Sequence, residues 1–521
     1  MTVPRFYSRI DDAITPLLSG GIDLPAFLDS RIVSLEAPDN IEENPVHVAG
    51  FALATNLCAR LYPNLRILAP PRVAHACKTL ALQINPACHV QTTAGTSHGT
   101  IAWATQSRNG AAIAVVPVGW EVHIDQPDIA AIRPSNMLTS LAAAAIAVGE
   151  LFRSVFAEAL PAGRTRPQPA TFNILTLDES SGPLEALPSV IDIGRIHLVG
   201  AGAVGQAMIY TLARLSVTGT LVVVDPEQIA LTNLQRYTLT TDSDVGLSKC
   251  SLAVRALKGS RLATVCCEAK WGDEQLATYG ELDTVCSAVD TEAVRIEIQA
   301  SLPRRIYNAW TQPADLGWSR HEDFGQAPCL ACLYWPTRAK PSQHELIAHA
   351  IDQAELRVLG YLTHRLTVDQ PIRAEQIPRL PNMPVPAESG SWVERSLLAD
   401  IAETLKVPKA ALDQWRGKQL PDLYREGVCG GALVRTHVGT VTQDLAVPLA
   451  HQSALAGIML AAELVIANCP ELKRYRPHEA EGRLDVLRNL PQTVVRPRQR
   501  TPGCICSDVD FIEQFDAKWR A

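Results

Sequence analysis

Three glycines, Gly200, Gly202 and Gly205, close the apolar run that begins at Ile196, and a second apolar run, Leu221 to Val224, ends on Asp225. Glycines at this spacing let a chain turn tightly out of a strand, let its backbone approach a polyphosphate, and let the next helix, starting near Gln206, press onto the sheet. Phosphate oxygens then meet the positive N-terminus of that helix. An acid at the end of the second strand suits a ribose hydroxyl, of NAD as well as of ATP. The residues beyond Asp225 favour a triphosphate. Asn233-Leu234-Gln235-Arg236 comes next, Lys249 opens a helical pattern shortly after Gly246, and Asp290 ends a further apolar strand, Thr284 to Cys286. Arg236 and Lys249 can neutralise phosphate oxygens, Asn233 can donate to them, and the Asp290 carboxylate can hold magnesium. Hydride transfer has no need of this cluster.

The cysteines carry a second chemistry. Of thirteen, Cys329 and Cys332 form a C-x-x-C and Cys504 and Cys506 a C-x-C. Two pairs of thiolates make a tetrahedral zinc site that would staple the C-terminal segment onto the nucleotide domain. The alternative is a set of buried, unligated thiols. A disulfide framework is not expected in a long chain with an odd cysteine count and no secretion signal. Cys429, in Gly427-Val428-Cys429-Gly430-Gly431, sits among glycines that would leave a thiol accessible on a loop, where a thiolate could attack an acyl-adenylate. Its rival, Cys469, ends an apolar helical run. Cys250, Cys266, Cys267 and Cys286 fall in helical or strand patterns and read as core.

These groups must be held by alternating strands and helices. At 521 residues and 47% hydrophobic, the chain can form two to four domains with real cores. A net charge of -7 without a basic stripe argues against nucleic acid as a partner. Met1 to Leu18 has Asp11 and Asp12 inside its best helical pattern and lacks the apolar centre of a signal peptide. The longest apolar stretch, around Leu141 to Gly149, stops at Glu150, short of a bilayer span; a cytoplasmic protein with no membrane contact is expected. A Pro- and Arg-containing stretch from Pro161 to Pro169 reads as a linker. On either side of it stands an Ala-rich helical run, Leu138 to Phe156 and Leu449 to Ile466, carrying Glu150-Leu151 and Glu463-Leu464. Earlier, Phe51 to Leu61 reads as helix and Leu65 to Ala69 and Ala111 to Val118 as extended, with no glycine fingerprint. Between Cys332 and Cys429 come a helical stretch from His344 to Leu366, a Pro-rich loop from Pro371 to Pro386, and a helical stretch from Trp392 to Leu405.

In Gly200 to Gly205, Asp225, Asn233-Leu234-Gln235-Arg236, Gly246 with Lys249, and Asp290, the chain resembles the ThiF/MoeB superfamily of adenylyltransferases, which includes the ubiquitin-activating enzymes. The resemblance implies an α/β, Rossmann-like adenylation fold, with Asp225 on the ribose, Asn233, Arg236 and Lys249 on the phosphates, and Asp290 on Mg²⁺. Tyr237 stands where the family usually has Gln, and Thr291 where it has Asn. Phe6-Tyr7-Ser8-Arg9-Ile10 resembles the stretch with which many members supply an arginine from a partner domain, which implies that Arg9 reaches the phosphates. The implied layout is an inactive adenylation-like domain at 1–180, the first part of the active ATP-binding domain at 190–335, and an inserted cysteine-region domain at 336–428. Residues 429–521 would then hold the reactive-cysteine loop, the rest of the adenylation domain and the zinc-binding tail. The implied function is adenylation of the C-terminal carboxylate of a ubiquitin-like protein, thioester formation on Cys429, and transfer to a conjugating enzyme. Its setting would be the bacterial ubiquitin-like conjugation systems, some of them linked to antiviral defence. A pseudo-dimer within one chain or a homodimer would fit. A sulfur-carrier or peptide-modifying adenylyltransferase, a non-catalytic adaptor, and an NAD oxidoreductase remain as alternatives.

Overall fold

The computed structural model describes residues 4, 6–19, 21–104, 112–126, 134–161, 169–179, 183, 185–272, 281–312, 315–335, 343–379, 389–393, 395–404, 412–424, 447–477, 481–485, 494–496 and 498–520. Cys429 with its glycines, and residues 162–168 of the expected linker, lie outside them. The chain forms two units, Met1–Trp335 with Val447–Ala521, and Pro336–Ala446.

The first unit is α/β and holds two sheets. One contains β1 (Ile32–Glu36), β2 (Asn64–Leu68), β3 (His89–Gln91), β4 (Gly99–Trp103), β5 (Ile113–Val118), β6 (Glu121–Ile124) and β7 (Ala170–Asn173), in the order β3-β2-β1-β4-β5-β6-β7. The other contains β8 (Ile191–Val199), β9 (Val217–Val224), β10 (Leu262–Cys267), β11 (Thr284–Ser287), β12 (Arg305–Thr311), β13 (Asp315–His321), β14 (Glu481–Asp485) and β15 (Val494–Arg496). Its order is β10-β9-β8-β11-β12-β13-β14-β15. Through seven strands the two orders coincide, and the second sheet adds β15. In each, five strands run parallel and the strands beyond them antiparallel. The parallel core is Val- and Ile-rich because helices cover both of its faces.

The Ala-rich runs form the helices Met137–Val155, between β6 and β7, and Ala450–Ala467, between β13 and β14. They therefore occupy the same place in the two orders. The apolar stretch does not stop at Glu150, as its charge suggests. Glu150 is buried and paired with Arg153 at 2.9 Å, so the helix runs through it. Both helices are long and apolar enough to cross a membrane by length and composition, yet 89% and 94% of their apolar windows are buried inside the protein.

The second unit has its own core, with Ile347, Leu356, Tyr361, Leu397 and Trp415 among its buried residues. The single helical stretch expected from His344 divides into Gln343–Ala350 and Glu355–Thr363. Asp352 adopts a positive φ of 49°, and Gln353 N–H returns to the Ala348 carbonyl at 2.9 Å, which is how a helix ends in the left-handed conformation.

Candidate active site

The site begins at the end of β8. Gly200 has φ 91°, and a Cβ there would stand 2.7 Å from the Ala288 carbonyl oxygen beyond β11. A Cβ on Gly205 would stand 2.1 Å from the Gly200 carbonyl oxygen. Only glycine lets the turn fold back on itself so tightly. The helix starts at Ala203 with Gly202 as its cap, one turn earlier than expected, and runs to Leu212. Its free N–H groups open into a cleft of about 850 Å³.

Gly200, Gly202, Asp225, Arg236, Lys249 and Asp290 all line that cleft. Asp225 closes β9, where its two carboxylate oxygens accept from the N–H groups of Ala201, at 2.7 Å, and Glu227, at 2.8 Å. Burial raises its pKa, against the pull of Lys249 and those N–H groups. Lys249 lies at the start of the helix Lys249–Leu257, its ammonium 3.8 Å from Asp225 and paired with Glu227. Burial opposes its charge, but Tyr237, Asp225 and Glu227 together raise its pKa. Arg236 is half-buried on the cleft wall. Burial lowers its pKa, Tyr237 opposes that, and the charge of Arg9 lowers it further. Its Nη1 is buried with no hydrogen-bond partner. Asp290 is exposed on the cleft wall.

Three expected residues stand elsewhere. Gly205 supports the turn from behind. Asn233 is not on the cleft wall; its Oδ1 takes the Ala230 N–H at 2.9 Å and shapes the turn Leu231–Gln235. Arg9 lies on the helix Tyr7–Ile14, bonded to Asp12 at 3.3 Å, outside the cleft lining but near enough to Arg236 to act on it electrostatically.

Tyr237 stands between the cations, its ring centroid 5.4 Å from the Lys249 ammonium and its hydroxyl 3.5 Å from where a Gly202 Cβ would be. The far wall was not anticipated. Arg295 is buried, bonds Asn308 at 3.1 Å and the Val289 carbonyl, and stacks on Tyr334 at 4.8 Å. Trp310, Arg483 and Arg498 complete it. Trp310 lies over Gly317, its cross-strand neighbour, and Trp318 over Gly482 in the same way. Such aromatic-glycine pairs could have been sought in the sequence; their pairing could not.

Cys329, Cys332, Cys504 and Cys506 are buried and converge, with all four sulfurs within 4.8 Å of one another. Sγ separations are 3.9 Å for Cys329–Cys332, 3.6 Å for Cys329–Cys504 and 3.4 Å for Cys332–Cys506. Four sulfurs about 2.3 Å from one zinc would be about 3.8 Å apart, so the donor set and its spacing fit a tetrahedral ion.

The ThiF family model matches residues 189–496. A Sinorhizobium fredii protein described as uncharacterized protein y4jF is 34% identical over an alignment of 541 residues, covering 100% of this chain and 98% of that one. The molybdopterin-synthase adenylyltransferase of Escherichia coli is 36% identical over 109 residues, 20% of this chain and 43% of that enzyme. Among solved structures, the microcin C7 biosynthetic enzyme MccB in complex with N-formylated MccA aligns with 60% of this chain and 67% of its own, at 14% identity and a TM-score of 0.35.

Proposed function

Because this chain belongs to the ThiF family, we propose that it uses ATP to adenylate a carboxylate, and that the carboxylate is the C-terminus of a ubiquitin-like protein. The observation that carries the reading is the buried, partnerless Nη1 of Arg236 beside Lys249 and the exposed carboxylate of Asp290, in a cleft opened by a glycine turn. A buried guanidinium nitrogen without an acceptor is costly, and a phosphate oxygen would satisfy it. A carboxylate oxygen attacks the α-phosphorus, the bond to the bridging oxygen breaks, and pyrophosphate leaves. Arg236 and Lys249 meet the charge on the leaving group, with Arg9 behind them. Magnesium at Asp290 would neutralise phosphate oxygens. Positioning and charge neutralisation carry such a step, and no strong general base is needed.

The second step belongs to Cys429. Its thiolate attacks the acyl carbon, AMP leaves, and the thioester passes to a conjugating enzyme. A relative that is by name an adenylyltransferase of molybdopterin synthase supports a protein substrate. We read the four-thiol cluster as structural zinc, on its donor set and spacing. Residues 1–180 read as an inactive copy of the active half. β1 ends on Glu36, and Ala37-Pro38-Asp39 follows, then Glu42 and Glu43, where the other sheet has its glycine turn, and these carboxylates would repel a triphosphate.

The test is ATP–pyrophosphate exchange supported by the partner protein. Asp290→Ala should abolish exchange, and an Asp290→Ala enzyme that exchanges normally overturns the magnesium assignment. Cys429→Ala should keep exchange and lose the reductant-sensitive adduct on non-reducing gels. A wild-type enzyme that exchanges but never forms the adduct stops at the adenylate, and a sulfur carrier or a peptide is then the substrate.

A further inference from the structure

Arg60 follows the last turn of the helix Pro45–Ala59, in the layer of the first sheet, and is 0% exposed. Among the described residues its guanidinium makes no ion pair with a carboxylate. Nε donates to Asn56 Oδ1 at 2.9 Å, Nη1 to the Leu234 carbonyl, and Nη2 to the Thr240 carbonyl at 2.9 Å. Asn56, itself buried, donates from Nδ2 to the Thr238 carbonyl at 3.0 Å. Three carbonyls that bracket Arg236 are thus held from a helix of the N-terminal half. On the other side, Gln206 Oε1 accepts from Leu239 N–H at 3.3 Å and from Thr240 Oγ1 at 2.9 Å. Burial draws the Arg60 pKa down to about 9, with Tyr210 opposing, so the chain keeps an unneutralised cation in its interior at a cost. What the cost secures is geometry, because a rigid guanidinium fork fixes several acceptors at once and a lysine would not.

We propose that Arg60 and Asn56 are positioning residues for the phosphate-binding arginine: the N-terminal half acts as a clamp that fixes residues 234–240, and through them Arg236. The assignment rests on the reading of the cleft as an ATP site. It gives the N-terminal half a role in the reaction through two side chains that touch neither substrate nor nucleotide.

Mg·ATP affinity is measured by calorimetry on the full chain for wild type, Arg60→Gln, Arg236→Ala and the double variant. Arg60→Gln should raise Kd about tenfold, the loss of about one charged hydrogen bond. The double variant should bind no more weakly than Arg236→Ala alone, because Arg60 acts through that residue. An unchanged Kd in Arg60→Gln, or losses that multiply in the double variant, overturns the proposal. If Arg60→Gln fails to fold, Asn56→Ala, which removes only the bond to Thr238, is put through the same cycle with the same criterion. If wild type binds no ATP, the ATP reading itself falls, and amide hydrogen exchange decides the clamp separately. Faster exchange confined to residues 234–240 in Arg60→Gln or Asn56→Ala supports it; no change, or a change across the whole first unit, overturns it.

Discussion

His197 lies on β8 shortly before the glycine turn, fully buried, with neither ring nitrogen hydrogen-bonded. Burial, and after it the charge of Arg195, pulls its pKa down to about 4. The folded ring is therefore neutral at pH values where an unfolded histidine, with a pKa of about 6.5, already carries a proton. Between those two values the unfolded state binds more protons, so stability rises with pH and is lost on acidification, by about 3 kcal/mol over the whole window. His451, lowered to about 3 by burial, acts in the same direction. Denaturant midpoints taken at neutral pH and at about pH 5 should fall further for wild type than for His197→Leu, which removes the titrating group. Parallel falls would mean that His197 takes no part in acid sensitivity. The same cost of burying an unpartnered polar group identifies Arg236, with the opposite consequence: His197 is enclosed, whereas Arg236 lines a cleft where a ligand can satisfy it. That distinction is invisible in the sequence. Gly200, Asp225, Lys249 and Asp290 were legible because each is tied to a strand end or a helix start by local pattern. Arg295 and Trp310 were not, because their places depend on how β11, β12 and β13 pair, and Arg483 and Arg498 were not, because they come from beyond the second unit, where β14 pairs with β13.

Among the elements, the helix Ala203–Leu212 links turn chemistry to core packing. The helix Ala450–Ala467 crosses it at Gly457, where a Cβ would stand 2.3 Å from the Val204 carbonyl oxygen, 2.5 Å from the Ala207 Cβ and 2.8 Å from the Met208 nitrogen. Two of those three atoms are backbone, so no rotamer change can make room. Gly457→Ala should destabilise the protein by about 2 kcal/mol, since overpacking a tight core typically costs about 1–3 kcal/mol. Because the displaced helix carries Gly202 at its cap, ATP affinity should fall as well. A Gly457→Ala protein with wild-type denaturant midpoint and wild-type affinity would show that the two helices are not fixed against each other. Both Ala-rich helices are legible in the sequence, because a long run of small apolar residues has few other uses; of the described strands, β2, β5, β8, β9 and β11 are legible and the others are not. Periodicity sets helix starts late, by nearly two turns at Phe51 and by about one at Gln206. The true starts, Pro45 and Ala203, are set by the Asn44 side chain accepting the N–H groups of Val46 and His47, and by the Gly202 cap. Periodicity also carries one helix through Asp352, where a single left-handed residue ends it. Caps and stops depend on individual dihedrals and bonds, which a repeating pattern does not report.

Over the whole molecule, two sheets that share an order over seven strands sit in a single unit, and only the second has the glycine turn. The bonds from Arg60 and Asn56 run from the layer of the first sheet to the segment that follows the glycine turn of the second. The second unit is inserted between Trp335 and Val447, so the chain must leave the first unit and return to it to supply β14, β15 and the tail. The thiol cluster closes that long excursion, bringing Cys504 to Cys329 across 175 positions. It does not act alone. Trp519 donates to the Leu302 carbonyl at 2.9 Å, and Phe515 packs on Phe324 with ring centroids 5.2 Å apart. Lys518 and Arg520 add bonds to the carbonyls of Ser301, Leu302 and Phe324, and a metal that joins the tail to the Cys329–Cys332 knuckle would add its own share of local stability to these contacts. Cys504→Ser should then lower zinc content below one ion per chain and reduce the melting temperature by about 5–10 °C. It should also open the segment after residue 496 to limited proteolysis, while the glycine turn at the end of β8 keeps its fold. Freshly purified wild-type protein without zinc would remove the metal from this account. If Cys504→Ser instead kept a full ion and resisted protease, the ligand set would have to be completed by another residue.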